Sequence, residues 1–327
     1  MNKKQKHSII AGGAGFIGSH LCERLLHDGY RVTCIDNLST GRLENIHHLL
    51  CHDSFKFVRH DITDQIPDNL LSNDRDIDFV FNLACQASPL HYQRDPVKTL
   101  LTSVNGSYNL LEVARATGAG ILLASTSEVY GDPTVSPQNE SYRGNVNTTG
   151  PRSCYDEGKR AAESLFSDYN RVHGTDTRII RIFNTYGPRM DYADGRAIPN
   201  FTVQALLKKP LTVNGDGTQT RSFMYIDDLI DALVKMMSPG IPHYPINIGN
   251  PHEITIRYLA ETIKAMTESP SEINYRALPQ DDPLIRCPDI SLANRILNWK
   301  PRIPLDKGLQ STISYFKSIL NPSKYIN

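Results

Sequence analysis

A tyrosine and a lysine stand four residues apart, at Tyr155 and Lys159, within the segment Cys154–Arg160 (CYDEGKR). On a helix this spacing places both side chains on one face. The lysine ammonium there stabilises a phenolate and lowers the pKa of the tyrosine from about 10. Such a tyrosine is a usable base near neutral pH. The pair therefore indicates general-base chemistry, although this spacing alone is most often a solvated helix face.

Hydroxyl groups lie one predicted strand upstream of this pair, in Ser125–Gly131 (STSEVYG). They follow the apolar run Ile121–Ala124, which is typical of a buried strand. Ligands of open α/β sheets bind beyond the carboxyl ends of the strands. These hydroxyls are therefore expected where such a fold places its chemistry.

A glycine-rich turn lies between a predicted strand and a predicted helix, in the segment Ile9–Gly18. Glycine permits a tight turn and a close approach of backbone N–H groups to a pyrophosphate, and the helix N-terminus favours the phosphate charge. Asp36 ends the next strand and can accept both hydroxyls of an adenosine ribose, which favours NAD over NADP. Arg42 could serve NADP, but its expected place is against the adenine. The glycines of the turn are Gly12, Gly15 and Gly18, and the residues expected at the adenine edge are Asp61 and Ile62.

Strand-like and helical segments alternate through the first half of the chain, which predicts a parallel sheet with helices on both faces. We predict an α/β fold: a Rossmann-type doubly wound parallel sheet with a smaller C-terminal α/β substrate lobe. Residues 1–183 form the predicted NAD-binding domain and residues 184–327 the nucleotide-sugar lobe, with 246–250 returning to the main sheet. The predicted strands are Ser8–Ala11, Arg31–Ile35, Lys56–Arg59, Phe79–Leu83, Ile121–Ala124, Thr177–Ile182, Leu211–Val213 and Ile246–Ile248, and the predicted helices are Phe16–His27, Pro96–Thr117, Tyr155–His173, Asp227–Met237 and Ile256–Met266.

The composition excludes several other classes of protein. The 327 residues are 39% hydrophobic, which is enough for a large core, and the 35 basic residues equal the 35 acidic ones. A neutral chain without a basic run gives no reason to expect nucleic acid or a membrane as partner. The six cysteines are scattered and the histidines show no metal-ligand spacing, so we expect reduced thiols, a cytoplasmic location and no metal.

Four motifs together resemble the extended short-chain dehydrogenase/reductase family of NAD-dependent epimerases and dehydratases. They are GGAGFIGSH (12–20), STSEVYGDP (125–133), CYDEGKR (154–160) and RIFNTYGPRM (181–190). Within that family the chain is most similar to the UDP-glucuronate decarboxylases, which make UDP-xylose. The similarity continues through GDGTQTRSF (215–223), INIGNP (246–251) and the segment Asp281–Ile290, and so covers nearly the whole chain.

The resemblance implies a role for each of four residues. Tyr155 takes the proton from the sugar 4-hydroxyl, Lys159 lowers its pKa and holds the nicotinamide ribose, and Thr126 hydrogen-bonds the same 4-oxygen. Hydride passes to NAD, and the 4-ketone then eases loss of CO2 from the C5 carboxylate. Glu128 is the implied acid or base near C5. The hydride returns to C4, so NAD is regenerated.

The resemblance also implies a larger set of binding residues. The expected cofactor contacts are Gly12, Gly15, Phe16, Ile17, Gly18, Asp36, Asn37, Ser39, Thr40, Gly41, Arg42, Asp61, Ile62, Leu83, Ala84, Tyr155, Lys159, Thr185 and Arg196. The expected substrate contacts are Ser88, Asn184, Asn200, Thr212, Arg221 and Arg286, of which the two arginines suit a diphosphate and its ribose. Helices 96–117 and 155–173 are expected to form the surface of a homodimer.

Three positions depart from the family pattern and keep other functions open. Cys85 begins a loop that usually reads Ser-Pro-Ala-Ser-Pro, Leu101 replaces a lysine that reaches toward the sugar acid, and Ser103 replaces an asparagine. Loss of a cation weakens the case for an acidic sugar, so a 4-epimerase acting on a neutral sugar is the alternative. A 4,6-dehydratase is less well supported because Ser127 stands where those enzymes have an aspartic acid. A non-catalytic nucleotide-binding regulator would be expected to have lost the tyrosine, the lysine or the threonine.

Overall fold

The structure is a computed structural model that describes residues 5–67, 76–278 and 285–320. Its strands are β1 (His7–Ala11), β2 (Arg31–Asp36), β3 (Phe55–Arg59), β4 (Phe79–Asn82), β5 (Gly120–Thr126), β6 (Thr177–Ile182), β7 (Thr185–Tyr186), β8 (Leu211–Asn214), β9 (Thr220–Ser222), β10 (Met224–Tyr225), β11 (Ile246–Ile248), β12 (Glu253–Thr255), β13 (Ile273–Arg276) and β14 (Ile285–Arg286). Its α-helices are α1 (Phe16–His27), α2 (Pro89–Tyr92), α3 (Pro96–Thr117), α4 (Ser153–His173), α5 (Ala197–Leu206), α6 (Ile226–Lys235), α7 (Ile256–Met266), α8 (Ser291–Leu297) and α9 (Leu305–Leu320).

Seven strands form the main sheet in the order β11-β6-β5-β4-β1-β2-β3. Every neighbouring pair in this sheet is parallel. The predicted Rossmann-type α/β fold is therefore confirmed. Smaller sheets lie in the C-terminal half, where β12, β9 and β14 form one and β13 pairs with β8.

Alternate residues of the central strands enter two different hydrophobic cores, because successive side chains of a strand point to opposite faces. Ile9 and Ala11 of β1 pack with Leu110 of α3 and Phe166 of α4 on one face. Ile10 packs on the other face with α1 and with much of the C-terminal half. The buried apolar runs in the sequence are thus strands covered on both faces.

Helix ends follow local signals in the sequence. The Asp95 side chain accepts a hydrogen bond from Lys98 N at 3.0 Å, and Pro96 occupies the first turn of α3, where its missing N–H costs nothing. Gly118 and Gly174 end α3 and α4 with φ of 75° and 66°, a left-handed conformation that favours glycine.

Two boundaries differ from the prediction in ways that affect the site. Strand β5 continues to Thr126, so Ser125 and Thr126 belong to the strand instead of following it. The Thr126 hydroxyl accepts a hydrogen bond from Glu128 N at 3.2 Å and caps the 3-10 helix Ser127–Tyr130. Helix α4 begins two residues earlier than predicted, at Ser153.

Strand β11 comes from the C-terminal half and pairs in parallel with β6, with Ile246 opposite Ile180. Trp299 is 1% exposed and donates from Nε1 to the carbonyl oxygen of Asp228 at 3.0 Å. The C-terminal half is therefore joined to the main sheet by backbone pairing as well as by side-chain packing.

Candidate active site

A cavity of about 110 Å³ is lined by the glycine turn after β1 and by the end of β2. Gly12 has φ of 79°, and a Cβ there would lie 2.8 Å from Ala84 N. A Cβ at Gly18 would overlap the carbonyl oxygen of Gly12. Glycine is therefore required for the turn to approach both α1 and the segment after β4, which is the close backbone approach that a pyrophosphate site needs.

Asp36 presents its carboxylate to this cavity. One oxygen accepts from Ala14 N at 3.0 Å and the other from Leu38 N at 2.8 Å. A Cβ at Gly41 would lie 2.7 Å from either oxygen, so glycine keeps the space in front of the carboxylate open. Burial raises the pKa of Asp36. Each oxygen retains acceptor capacity, which fits the two hydroxyls of a ribose.

The structure brings most of the expected cofactor residues to one of two cavities. Those lining the 110 Å³ cavity are Gly12, Gly15, Asp36, Asn37, Ser39, Thr40, Gly41, Asp61, Ile62, Leu83 and Ala84. Those lining the larger cavity described below are Phe16, Ile17, Leu83, Tyr155, Lys159, Thr185 and Arg196. Gly18 serves the packing of α1 on the turn, as its overlap with Gly12 indicates.

Arg42 does not follow the expectation that it lies against the adenine. Its Nη2 atom is 2.7 Å from Asp191 Oδ1, and its guanidinium lies 4.9 Å from the centre of the Tyr192 ring. It is not among the described residues that line the smaller cavity. The ion pair draws the side chain toward the segment after β7.

Lys98 is a cofactor-cavity residue that the sequence reasoning missed. Its Nζ atom lies 2.9 Å from Asp61 Oδ2 and donates to Thr63 Oγ1 at 2.7 Å. Burial alone would raise the pKa of Asp61, but hydrogen bonds from Thr63, Lys98 and Asn37 outweigh it and hold that pKa well below its ordinary value. The sequence signal that could have identified Lys98 is Asp95. As the N-cap of α3, Asp95 places Lys98 in the first turn of the helix.

A larger cavity of about 480 Å³ lies beyond the carboxyl ends of β4, β5 and β6. Cys85 lines both cavities, so they adjoin along the segment after β4. The larger one has room for a sugar nucleotide and for the reactive end of a dinucleotide. Its catalytic side is formed by Thr126, Ser127, Glu128, Tyr155, Lys159 and Arg286, and its far side by Asn184, Asn200, Thr212 and Arg221.

Tyr155 and Lys159 lie together on α4, as their spacing predicted. The Tyr155 ring stacks on the Tyr92 ring with centres 5.1 Å apart and planes 4° apart. Lys159 Nζ lies 6.0 Å from the centre of the Tyr155 ring and donates to the carbonyl oxygen of Ala124 at 2.8 Å. The stacked Tyr92 is a residue that the sequence reasoning missed, and it holds the phenol ring in one orientation.

Burial opposes the lowering of the Tyr155 pKa that is expected from the lysine. It raises this pKa well above its ordinary value, Cys85 and Glu128 act in the same direction, and Thr126 opposes them. Burial also lowers the pKa of Lys159. The ammonium remains close to the phenol, but the loss of water around the ring has the larger effect.

Glu128 lies between two arginines at the end of the cavity near Tyr155. Its Oε2 atom is 2.8 Å from Arg152 Nη2 and 3.2 Å from Arg286 Nη2. Burial alone would raise the pKa of Glu128, but Arg286, Arg152 and Arg221 outweigh it and hold that pKa below its ordinary value. The two guanidiniums therefore favour the ionised form of the carboxylate, and the role of Glu128 as acid or base stays a prediction.

Arg286 also differs from the role expected for it at the diphosphate. It is 1% exposed, and its guanidinium donates to Ser127 Oγ at 3.1 Å and to the carbonyl oxygen of Gly131 at 3.1 Å. These bonds turn it toward the catalytic 3-10 helix. The neighbouring part of its motif, residues 281–284, lies outside the described residues.

Asp156 adds a carboxyl group next to the phenol that the sequence reasoning did not use. It is 6% exposed, and its Oδ1 atom is buried without a hydrogen-bond partner among the described residues. Burial and the charge of Glu128 raise the pKa of Asp156 to about 7. A group that titrates near neutral pH therefore acts electrostatically on Tyr155.

Of the other residues expected to contact the substrate, Asn184, Asn200, Thr212 and Arg221 line the larger cavity and Ser88 does not. Asn200 Nδ2 donates to Thr212 Oγ1 at 3.2 Å, and Asn184 Nδ2 lies 3.4 Å from the carbonyl oxygen of Ser222. Ser88 is not among the described residues that line the larger cavity, because its hydroxyl donates to the carbonyl oxygen of Asp194 instead.

Two of the three departures from the family pattern lie outside the cavities. Leu101 is 40% exposed on α3 and is not among the described residues that line either one. Ser103 is buried and its hydroxyl is 3.3 Å from the Cys85 thiol. Two arginines flank Glu128 in the larger cavity: Arg152, which the sequence reasoning missed, and Arg286. Leu101 supplies no positive charge, but the two arginines outnumber Glu128. This end of the cavity is therefore cationic.

The described residues contain neither a membrane-spanning helix nor a cluster of metal ligands. No helix in residues 5–67, 76–278 and 285–320 is long and apolar enough to cross a bilayer. In the same ranges, no three His, Cys, Asp or Glu side chains cluster as ligands of a metal ion.

Comparison with known proteins agrees with this geometry. The model of the NAD dependent epimerase/dehydratase family matches residues 8–249. UDP-glucuronic acid decarboxylase 1 of Arabidopsis thaliana is 49% identical over 323 residues, which cover 98% of this chain and 72% of that protein. UDP-glucuronic acid decarboxylase 1 of Danio rerio is 47% identical over 314 residues, which cover 96% of this chain and 73% of that one.

A solved structure provides an independent comparison. The UDP-glucuronic acid 4-epimerase of Bacillus cereus, in complex with UDP-glucuronic acid and NAD, has a TM-score of 0.87 and 30% identity, covering 96% of this chain and 99% of that one. The glycine turn, the open carboxylate of Asp36 and the adjoining cavities fit the same cofactor. This chain belongs to the NAD dependent epimerase/dehydratase family.

Proposed function

We propose that this protein is an NAD-dependent lyase that decarboxylates UDP-glucuronate to UDP-xylose through a 4-keto sugar. The observation that carries the proposal is the pair of guanidiniums, that of the partly buried Arg152 and that of the buried Arg286, on either side of Glu128 in the cavity that contains Tyr155. Two positive charges and one negative charge leave this end of the cavity cationic, which suits a sugar acid. Relatives with this activity are 47–50% identical over nearly the whole chain.

The first step is oxidation of the sugar 4-hydroxyl. Tyr155 accepts the hydroxyl proton, Thr126 hydrogen-bonds the 4-oxygen, and Lys159 holds the cofactor ribose and compensates the phenolate charge. NAD bound in the adjoining cavity would supply the acceptor for the C4 hydride and, once the carboxylate is lost, its donor, so the cofactor would be regenerated in each cycle. The glycine turn, Asp36 and Lys98 in the first turn of α3 would hold this cofactor.

The second step is loss of CO2. With a ketone at C4, the bond between C5 and the carboxylate carbon breaks and its electron pair enters the C4 carbonyl as an enolate. A proton from water then adds to C5 and restores the 4-ketone, and the hydroxide that remains is taken up with the CO2 as bicarbonate. Glu128, placed between two arginines, is suited to accept a hydrogen bond from that water and orient it, and the guanidiniums hold the carboxylate before it leaves.

The other end of the substrate would occupy the far side of the larger cavity. Asn184, Asn200, Thr212 and Arg221 supply amide, hydroxyl and guanidinium donors that suit a uridine diphosphate. We accordingly propose a division at residue 184, with an NAD-binding part before it and a nucleotide-sugar lobe, residues 184–327, after it.

The test is incubation of the purified enzyme with UDP-glucuronate, UDP-glucose and dTDP-glucose in turn. We expect CO2 release and a UDP-xylose spectrum by NMR with UDP-glucuronate alone. A UDP-galacturonate spectrum without CO2 would contradict the decarboxylase and identify a 4-epimerase, like the UDP-glucuronic acid 4-epimerase of Bacillus cereus. A 4-keto-6-deoxy product from a glucose nucleotide would contradict the decarboxylase and identify a dehydratase. That outcome is unexpected, because Ser127 offers a hydroxyl where an acid is needed.

We also propose a homodimer formed through α3 and α4. Val97, Leu100 and Tyr108 are exposed along α3. Because they recur at three- to eight-residue intervals, they form an apolar stripe beside α4, and such a stripe is typical of an interface. Light scattering at micromolar concentration is expected to give twice the chain mass of 36.7 kDa. A mass near that of one chain would contradict the dimer.

The location that we propose is the cytoplasm. All six cysteines are free thiols, which suits a reducing compartment.

A further inference from the structure

Helix α4 carries a third charged residue on the face that bears Tyr155 and Lys159. Glu163 follows Lys159 by four residues, as Lys159 follows Tyr155, so the three side chains lie along one side of the helix. The roles given above to the tyrosine and the lysine leave the glutamate without one. Its side chain is 12% exposed, so its carboxylate is largely removed from water.

Glu163 binds two strands of the main sheet. Its Oε1 atom accepts from Ser125 Oγ at 2.5 Å and from Arg181 Nε at 2.9 Å, and its Oε2 atom accepts from Arg181 Nη2 at 2.7 Å. The contact with Arg181 is a bidentate ion pair, which fixes the plane of the carboxylate as well as its position. The glutamate therefore ties α4 to the carboxyl ends of β5 and β6.

The part of β5 held in this way touches both catalytic side chains. Ser125 lies between Ala124, whose carbonyl oxygen accepts from Lys159 Nζ at 2.8 Å, and Thr126, whose hydroxyl bonds Tyr155. A shift of Ser125 would move both contacts together. The groups that face Lys159 are Cys85 from the segment after β4, Glu163 from α4 and the ring of Tyr155.

The network continues from Arg181 into the C-terminal half. Arg181 Nη1 donates to Tyr130 Oη at 3.0 Å, and Tyr130 Oη donates to Asn247 Oδ1 on β11 at 2.7 Å. The Arg181 guanidinium also lies 4.9 Å from the centre of the Tyr130 ring. This network holds the Glu163 carboxylate from the side opposite the cavity, so its position does not depend on the substrate.

We propose that Glu163 is a positioning residue for the oxidation step: it fixes the end of β5 against which Lys159 is seated. The proposal rests on the roles given to Tyr155 and Lys159 under the proposed function. Burial lowers the pKa of Lys159, whereas Cys85 and Glu163 raise it. Loss of the carboxylate therefore makes the lysine lose its proton at a lower pH.

Glu163→Gln tests the charge with little change of shape. We expect the alkaline limb of the kcat/KM profile to move down by about one pH unit. We also expect kcat to fall by about tenfold while KM stays within about twofold. Asp168→Asn is the matched control, because it removes a carboxylate from an exposed ion pair with Arg171 on the same helix. This control is expected to keep the wild-type profile.

A second readout needs no substrate. The titration of Lys159 Nζ in 15N-lysine-labelled enzyme with NAD bound, assigned with Lys159→Met, is expected to move to lower pH in Glu163→Gln. If it moves although the wild-type enzyme releases no CO2 from UDP-glucuronate, the proposed function is wrong and the role of Glu163 stands. If the titration and the pH profile both match the wild type, the role of Glu163 is overturned.

Removal of the charge leaves Arg181 buried without its counterion, which could prevent folding. If circular dichroism shows that Glu163→Gln is unfolded, Glu163→Asp replaces it. The aspartate keeps the charge but is one methylene shorter, so it cannot hold Ser125 and Arg181 together. We then expect an unmoved alkaline limb with kcat lowered by about tenfold. A wild-type kcat in folded Glu163→Asp would overturn the proposal.

Discussion

Tyr155→Phe is expected to reduce turnover of UDP-glucuronate by about 10³-fold or more, with NAD still bound. The change removes one oxygen atom and leaves the ring stacked on Tyr92 at 5.1 Å. The fold and the cofactor cavity therefore persist, while the 4-hydroxyl loses the group that takes its proton. CO2 release measures turnover, and NAD released from the denatured protein measures retention of the cofactor.

Tyr169→Phe is the control for this substitution. Tyr169 lies on the same helix, is 8% exposed, and donates from its hydroxyl to Glu112 at 2.7 Å. It is not among the described residues that line the larger cavity, so its loss is expected to leave turnover within about twofold. The assignment of the base is wrong if Tyr155→Phe retains more than about a tenth of the wild-type rate.

Glu128→Gln is expected to lower kcat for CO2 release by about 10²-fold without raising KM for UDP-glucuronate. The amide keeps the shape of the side chain but removes its charge, so it orients the water that protonates C5 less well. Arg152 and Arg286 then face the cavity with two uncompensated positive charges. A substrate carboxylate is held at least as tightly as before, which is why the loss is expected in kcat.

Glu112→Gln is the matched control, because Glu112 is also paired with an arginine, Arg115 at 2.8 Å, but on the outer surface of α3. Steady-state kinetics on the two variants separate kcat from KM. A KM for UDP-glucuronate raised tenfold in Glu128→Gln, with kcat unchanged, would assign Glu128 to substrate binding and refute the role given to it here.

The parts of the site set by short spacings could be predicted from the sequence. Tyr155 and Lys159 share a face because helix geometry fixes the relation between residues four apart. The glycine turn could be predicted because the chain has few ways to turn tightly between a strand and a helix. The order of the apolar segments likewise predicted a parallel sheet, because parallel strands require intervening crossovers.

The direction of long side chains could not be predicted in this way. Arg286 was expected at the diphosphate but turns toward Ser127 and Glu128, and Arg42 was expected at the adenine but pairs with Asp191. An arginine has several rotatable bonds, and distant parts of the chain decide which partner it meets. Arg152 lies only three residues before Tyr155, yet nothing in its spacing shows that it reaches Glu128.

The net effect on the pKa of Tyr155 could not be predicted for a related reason. The sequence gives the neighbouring ammonium but not the amount of water that the fold removes from the phenol. Burial is the largest influence on this pKa and raises it. Spacing therefore identifies which groups interact, whereas only packing decides the sign of the net effect.

Strand β11 has a consequence for how the cleft can open. The chain leaves the sheet after β6, builds part of the C-terminal half, and returns to pair with β6 before leaving again. A hinge that swung the halves apart would have to break this ladder, so exchange of the dinucleotide depends on loops at the rim. An enzyme that restores its own oxidant every cycle has little need of such exchange, and the nucleotide can stay in place as a prosthetic group does.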